Sequence, residues 1–288
     1  GLVSSTEDNA RMMELYRRGG VWNGTQVLAP EWVSFALQTQ NDHLDPPVSY
    51  GGMMWKRSEC LMADGAMGQW AMLFPQKDTI VSLSETISSG EQGDAVMNAV
   101  FDFVRSLPDS APPEDAQATA ALKARLGRLA MPAPDYAENP QLLQRLHRTR
   151  YRLTQGSVHF FADDLTIFNP DYAVAIHGFG FEAVDGNLLL TVEAGSWQVH
   201  CPVGLKGQRL VSTIPSPNPA CTAALSAAMP DDNTLNMEIR WLESCRVHRL
   251  SFRFDDTGAQ VVSSRDKVGG FDIPDETARL VLKGGSYA

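Results

Sequence analysis

The chain has 288 residues, of which 43% are hydrophobic and 20% charged, enough apolar sequence for one large or two ordinary globular domains. Its formal net charge of −10 argues against a nucleic acid or an anionic membrane as partner, because both attract clustered positive charge. Basic residues gather only between positions 145 and 152, which we interpret as a solvated edge leading into a strand. No run of about eighteen apolar residues predicts a membrane-spanning helix.

Four cysteines are widely spaced, at Cys60, Cys201, Cys221 and Cys245. They form no CxxC pair and no cysteine–histidine cluster of the spacing that zinc sites use, so reduced, buried thiols are expected and neither a metal nor another cofactor is indicated. Reduced thiols do not identify the cellular compartment of the protein, although they slightly favour the cytoplasm. The sequence opens without a methionine or a recognisable signal peptide, which leaves open a missing N-terminal segment.

The first hundred residues predict a layer of helices and strands. Ser5 and Asp8 have the spacing of a capping box, so a helix is expected to begin there. An Asn-Gly pair at positions 23–24 predicts a tight hairpin turn, and Pro30 stands at the favoured first position of a second helix. Three strand-like stretches and a helix with one apolar face follow, at residues 50–55, 69–74, 79–84 and 92–105.

Residues 107–118 are rich in proline and acidic side chains, and they predict a linker between residues 1–106 and residues 119–288. After a helix near residues 118–129, the pattern changes to short runs in which apolar and polar residues alternate. Residues 235–241 show this period of two most clearly, as expected of a half-buried strand. We expect a meander of six to eight antiparallel strands that is curled or closed.

Two stretches of the first part resemble class C β-lactamases and penicillin-binding-protein-like serine hydrolases. In residues 1–24 a glycine and a Ser/Thr group lead into an acidic-led helix, a Gly-Gly pair and an Asn-Gly hairpin, which is similar to the segment after that family's second catalytic motif. Residues 50–55 and 63–69 resemble the strand of its third motif. The resemblance implies an α+β class: a partial β-lactamase-like antiparallel sheet with helices, followed by an antiparallel β-barrel-like (lipocalin-like) domain.

The third-motif resemblance assigns four positions. Ala63 stands where the family has a lysine or histidine, Asp64 at a variable position, and Gly65 at the invariant glycine. The backbone N–H of Ala66 would then be an oxyanion donor, since a fixed N–H aimed at developing negative charge lowers the barrier to acyl transfer. Ala63 can neither carry charge nor donate a proton, which departs from the family's pattern.

The family's nucleophile motif Ser-x-x-Lys and its Tyr-x-Asn motif should both precede Gly1. The chain has no Tyr-x-Asn, and its one Ser-x-x-Lys, at residues 264–267, lies in the β-rich part, where we do not expect it to be catalytic. The sequence therefore predicts a fragment of a serine hydrolase that is inactive alone and whose partner is the missing N-terminal catalytic segment. A cluster of methionines and tryptophans in residues 53–72 adds the prediction of an uncovered apolar face, and with it a possible homo-oligomer.

The alternative is a small-molecule or peptide binding module. The β-rich part resembles, in pattern, the lipocalin-like appendage that some members of the family carry. A cavity that reaches solvent would favour binding, whereas a solidly packed interior would favour a structural role. His159, His177 and His200 lie in strands of this part and could converge on a metal, but separate surface or core positions are favoured. Four aromatic residues are expected to be core and not ligand-stacking platforms: Trp197, Trp241, Phe252 and Phe254.

Overall fold

Two units divide the chain near residue 127, one mixed and one built almost entirely of strands. The structure is a computed structural model. It describes residues 4–41, 48–85, 87, 89–110, 113–160, 174–214, 221–242, 247–266 and 274–283. Within these ranges no helix is long and apolar enough to cross a membrane.

The described residues of the first unit form four α-helices, seven strands and a short 3-10 helix at Pro75–Lys77. The α-helices and strands are α1 (Thr6–Arg17), β1 (Val21–Trp22), β2 (Thr25–Gln26), α2 (Pro30–Leu37), β3 (Ser49–Tyr50), β4 (Trp55–Lys56), β5 (Leu61–Gly65), β6 (Gln69–Phe74), β7 (Thr79–Leu83), α3 (Gly90–Ser106) and α4 (Ala116–Leu126). The side chain of Ser5 accepts a hydrogen bond from the backbone N–H of Asp8, so α1 begins at the predicted cap. β1 and β2 form the hairpin that the Asn-Gly pair predicts.

Strands β3 to β7 pair in chain order into an antiparallel sheet. In β6 the side chains alternate between its two faces, because successive residues of a strand point to opposite sides. Trp70 and Met72 pack in one core cluster with Met97 of α3. Ala71 and Leu73 pack in another with helix α1.

Both faces of this sheet are therefore covered by the chain's own helices. Met54, Met62 and Met72 are buried, whereas Met53 is exposed. The uncovered apolar face predicted from the sequence was wrong for most of these residues, because an amphipathic helix follows the strands and packs back on them. The possible homo-oligomer stays a prediction.

Helix α4 follows the proline-rich segment and buries none of its residues. The side chain of Asp115 caps its first turn by accepting a hydrogen bond from the backbone N–H of Ala118. The contacts of the chain place the division between the units near residue 127, after α4. The linker at 107–118, as predicted from composition, stays a prediction.

The second unit is a nearly closed antiparallel barrel of ten strands. Its elements are α5 (Pro140–Leu146), β8 (Thr149–Gly156), the short β9 (His159–Phe160), β10 (Val174–Val184), β11 (Asn187–Ala194), β12 (Trp197–Val203), β13 (Leu210–Ile214), β14 (Cys221–Asp231), β15 (Thr234–Trp241), β16 (Val247–Asp255), β17 (Gly258–Arg265) and β18 (Glu276–Leu282). The strand order is β12-β11-β10-β8-β18-β17-β16-β15-β14-β13, with β9 paired to β10. The expected closed meander is present, with more strands than the six to eight predicted.

Two contacts close this barrel. The first and last strands, β8 and β18, form an antiparallel ladder from Gly156 opposite Ala278 to Tyr151 opposite Leu282. At the two ends of the strand order, Gly204 forms a parallel bridge with Ser226, where its N–H donates to the carbonyl of Leu225 at 3.0 Å. Strands β12 and β13 follow one another in the chain but form no ladder within the described residues.

The interior of the barrel is a single apolar cluster. In β15 the residues Leu235, Met237, Ile239 and Trp241 are buried, as their period of two predicts. Leu142 and Leu146 of α5 belong to the same cluster, so this helix closes one end of the barrel. At the other end of the barrel, polar and charged side chains face the interior.

Candidate functional site

A group of polar side chains lies inside the barrel at the end opposite α5. On β16, Leu250, Phe252 and Phe254 face the interior, and the same alternation brings His248 to that face. The ladders between neighbouring strands then set His248 opposite Arg265 of β17. They also set Ser263 of β17 opposite Glu276 of β18. We call His159, His248, Ser263, Arg265 and Glu276 the polar cluster.

Glu276 lies at the centre of the charged part of the polar cluster, between Arg265 and His159. Nη2 of Arg265 donates to Oε2 of Glu276 at 3.1 Å, and also to the backbone carbonyl of His159 at 3.2 Å. The backbone N–H of His159 donates to the same carboxylate oxygen at 2.9 Å, and its ring Nδ1 lies 2.5 Å from Oε1. Both oxygens of the carboxylate are therefore held by donors from two other strands.

The remaining two members form a hydrogen bond deeper in the barrel. Nε2 of His248 lies 2.7 Å from Oγ of Ser263, and both side chains are buried. Burial, and after it the positive charge of Arg265, lowers the pKa of His248 from 6.5 to about 3. His248 is therefore neutral at physiological pH, and its partner in the interior is an uncharged hydroxyl.

A turn in the backbone places His159 in the cluster. Gly156 has a φ of +79°, a region that side chains rarely allow, and a Cβ atom there would lie 2.1 Å from the carbonyl oxygen of Thr277. The chain bends at this glycine at the end of β8 and continues as β9, in which His159 pairs with Ala175 of β10. A residue with a side chain at position 156 would push the end of β8 away from β18.

The polar cluster runs from solvent to the core. The exposed fraction of the side chain falls from 31% in His159 to 20% in Glu276 and 3% in Arg265. His248 and Ser263 are fully buried behind them. Solvent therefore reaches the cluster at His159.

Below the cluster, side chains fill the barrel. Phe179 and Phe181 of β10 meet Phe252 of β16 edge to face, with ring centroids 5.0 and 5.3 Å apart. Phe252, Leu235 and Leu280 have no exposed surface at all, which leaves no room for a water molecule beside them. Phe252 is core, as expected, and a ligand has no room beside it in this part of the barrel.

The residues singled out by the third-motif resemblance lie in the first unit. Ala63, Asp64 and Gly65 are on β5, and Ala66 is in the turn to β6. Asp64, Gly65 and Ala66 line a cleft of about 560 Å³, whereas Ala63 packs against a core cluster. Asp64 accepts a hydrogen bond from the indole N–H of Trp70 at 2.8 Å. The oxyanion role of the Ala66 N–H stays a prediction, because no contact of that group bears on it.

The three histidines considered as metal ligands do not converge. His159 belongs to the polar cluster, while His177 and His200 are exposed, and ring Nδ1 of His200 lies 3.1 Å from Oγ1 of Thr191. Among the described residues there is no group of three or more potential metal ligands. Cys60 and Cys201 are buried thiols, and burial raises their pKa to about 11 and about 12.

Sequence reasoning missed four members of the polar cluster. Arg265 was noticed only as part of the Ser-x-x-Lys at residues 264–267, of which Lys267 lies outside the described residues. A signal was present: Ala259 and Val261 are inward residues of β17, and continuing their period of two reaches Ser263 and then Arg265. A charged residue in phase with a buried face indicates a polar group inside the barrel.

No protein-family model and no curated protein matches the chain. Among solved structures the chain is similar to As-p18, an extracellular fatty acid binding protein, at 10% identity and a TM-score of 0.35, over 49% of this chain and 97% of that one. It is also similar to a Schistosoma mansoni fatty acid binding protein in complex with arachidonic acid, at 9% identity and a TM-score of 0.35, over 49% of this chain and 98% of that one. A third similar structure is an abundant heat soluble (SAHS) protein from Ramazzottius varieornatus, at 4% identity and a TM-score of 0.33, over 52% of this chain and 98% of that one. At these TM-scores the likeness carries no inference about a ligand.

The expected membership of the β-lactamase-like serine hydrolases was wrong, and with it the prediction of a hydrolase fragment. The structures named above are β-barrel proteins and not serine hydrolases, and the sheet of residues 1–106 has no support as a β-lactamase-like sheet. The motifs that suggested the family are a helix cap, a Gly-Gly stop and an Asn-Gly hairpin. Any fold uses these local devices, so they identify turns and helix ends without identifying a family.

Proposed function

We propose that the second unit binds a small amphipathic molecule at the polar end of its barrel. The observation that carries this proposal is the polar cluster itself, which stands at the rim of an otherwise apolar interior and reaches solvent at His159. Small-molecule sites have this composition: mostly apolar walls, with a few fixed polar groups that orient the ligand. The sequence-based alternative of a binding module agrees with this arrangement.

Stability alone does not account for the cluster. Taking an arginine and a glutamate out of water costs several kcal/mol per ion, and a well-packed apolar pair of similar volume often gives equal or greater stability. Arg265 and Glu276 nevertheless lie in the barrel interior, next to buried Val261 and Ala278. A buried pair with one solvent-facing edge is suited to recognise a polar headgroup.

Apolar side chains near the same end can hold the rest of the ligand. Val158 precedes His159, Ile176 lies near the start of β10, and both are buried in the interior cluster. Trp197, at the start of β12, is partly buried against it. A headgroup bound at the polar cluster would leave its apolar body close to Trp197, because Val158 and Ile176 are fully packed.

Binding of N-phenyl-1-naphthylamine, an uncharged amphipathic fluorophore, to the full chain tests the proposal. We expect saturable fluorescence enhancement that Arg265→Met weakens at least about tenfold, because the headgroup loses its oriented polar environment. Arg279→Met is the matched control, since Arg279 lies on the outer face of β18 in an ion pair with Asp255. Circular dichroism establishes that both variants are folded.

Two results would refute the proposal. One is the absence of saturable binding to the unsubstituted chain. The other is equal binding by the Arg265 and Arg279 variants, which would place the fluorophore outside the barrel. If Arg265→Met does not fold, His159→Phe replaces it, because His159 is the most exposed member of the cluster.

A further inference from the structure

A small pocket lies at the end of the barrel that α5 closes, away from the polar cluster. Its volume is about 160 Å³, close to the roughly 150 Å³ of an apolar protein cavity that holds one benzene molecule. Its apolar wall includes Leu143 of α5, Leu205 after β12 and Met229 of β14. Leu205 and Met229 are buried, so this wall is part of the packed interior. The pocket therefore has room for one branched alkyl group or one phenyl ring.

Hydrogen bonds hold the walls of this pocket in place without a ligand. The backbone N–H of Met229 donates to the carbonyl of Ala137 at 2.8 Å, which fixes the segment before α5 against β14. The backbone N–H of Leu205 donates to Oδ1 of Asn187 at 3.2 Å, which fixes the chain after β12. A site that is already formed has less conformational entropy to lose when it binds.

Two charged side chains stand at the mouth of the pocket. Glu138 and Lys206 both line it, and both are exposed. Neither side chain forms an ion pair or a hydrogen bond with another described residue. Lys206 has a φ of +59°, a left-handed conformation that is uncommon for a residue with a side chain, and residues held in such conformations cluster at binding sites. The mouth therefore presents one negative and one positive group to a ligand.

From these observations we infer that the pocket binds a small zwitterion with an apolar side chain, which is the chemistry of an aliphatic or aromatic α-amino acid. The apolar group enters the pocket, the ammonium group meets Glu138, and the carboxylate meets Lys206. An anion or a cation with the same apolar group would pair with only one of these residues and would be repelled by the other. The site lies at the opposite end of the barrel from the polar cluster, so it does not rest on the binding function proposed above.

NMR of the full chain with isotope-labelled methionine methyl groups tests the inference, because Met229 lies in the wall of the pocket. The ligands are L-leucine, 4-methylpentanoate and 3-methylbutylamine, which share an isobutyl group and carry both charges, the negative one or the positive one. At neutral pH we expect L-leucine to shift the Met229 signal saturably, with a dissociation constant on the order of 1 mM from burial of the isobutyl group. The other two should bind about threefold to fivefold more weakly, the contribution of one exposed ion pair. The signal of Met62, buried in the first unit, should not move.

Two variants test the assigned charges. L-leucine and 4-methylpentanoate should bind equally to Glu138→Gln, and L-leucine and 3-methylbutylamine should bind equally to Lys206→Met. Glu114→Gln and Lys123→Met are the matched controls, because both residues are exposed and belong to the first unit, and they should leave the preference for L-leucine unchanged. All four substitutions are at exposed positions, where the fold tolerates them.

The inference is wrong if L-leucine gives no saturable shift of Met229, or if the three compounds bind equally to the unsubstituted chain. It is also wrong if the preference for L-leucine survives in both Glu138→Gln and Lys206→Met. If L-leucine displaces N-phenyl-1-naphthylamine and no longer binds to Arg265→Met, it binds at the polar cluster, and the inference fails while the proposed function stands. If the fluorophore does not bind but L-leucine shows the expected preference, the proposed function fails and the inference stands.

Discussion

Lowering the pH from about 7 to about 5 should destabilise the barrel through His248. The pKa of this residue is about 3 in the folded chain and 6.5 as its ordinary value, so the unfolded chain binds an additional proton between those two pH values. The contribution of His248 to stability is complete above about pH 6.5 and is lost progressively as the pH falls toward 3. Linkage over this interval gives a loss of about 2 kcal/mol between pH 7 and pH 5.

Hydrogen exchange of strands β15 to β17 in the full chain measures this loss, once the intrinsic pH dependence of amide exchange is subtracted. His248→Gln supplies the comparison, because its amide can still reach Ser263 but does not titrate. His200→Gln is the matched control on an exposed histidine of the same barrel. Acidic groups whose pKa is lowered in the folded chain, such as Asp255, change the stability only at lower pH. The change in stability between pH 7 and pH 5 is therefore assigned to the histidines.

The expected result is a loss of about 2 kcal/mol in the unsubstituted chain and in His200→Gln, and a loss at least about 1 kcal/mol smaller in His248→Gln. The same pH dependence in all three proteins would refute the reasoning. It would mean that protonation of His248 carries no free-energy cost in the folded barrel, so that its pKa there is close to that in the unfolded chain.

Three further predictions concern the same barrel and the linker. Glu276→Gln should cost about 3 kcal/mol, measured by hydrogen exchange of β17, because it breaks the buried ion pair with Arg265. The loss in the double variant with Arg265→Met should be smaller than the sum of the two single losses. In urea denaturation, Gly156→Ala should destabilise the barrel by about 3 kcal/mol or more, and Gly186→Ala by only about 1 kcal/mol. Both glycines have a positive φ, but only Gly156 lacks space for a Cβ atom. Brief trypsin or Glu-C digestion should cut first within or beside residues 107–118; first cuts inside the barrel strands would contradict the predicted linker.

Local features of the fold were predictable from the sequence because a few neighbouring residues determine them. The Ser5 cap, the Asn-Gly hairpin and the alternation in residues 235–241 each depend on side chains within one turn or one strand. Strand β14 is hard to predict because its alanines and serine do not favour a strand by composition, although Ala223, Leu225, Ala227 and Met229 alternate toward the core.

The candidate site was harder to predict than the strands that carry it. Arg265 lies in the run Ser264-Arg265-Asp266, which has the composition of a surface turn. Its burial follows from the register between β16, β17 and β18, and register is a property of paired strands and not of one segment. His159 enters the site only because the backbone bends at Gly156, a consequence of a single positive φ.

The ladder between β8 and β18 has a consequence for synthesis of the protein. The other long ladders of the barrel join strands that are neighbours along the chain, or nearly so, whereas this one joins the first strand to the last. A ribosome releases β8 long before β18, so β8 must wait with one edge unpaired, and closing so long a loop is slow. Open edges are where strands of other molecules add. A stop codon just before Glu276 would delete β18, leave β8 and β17 each with one unpaired edge, and make both edges available to strands of other molecules.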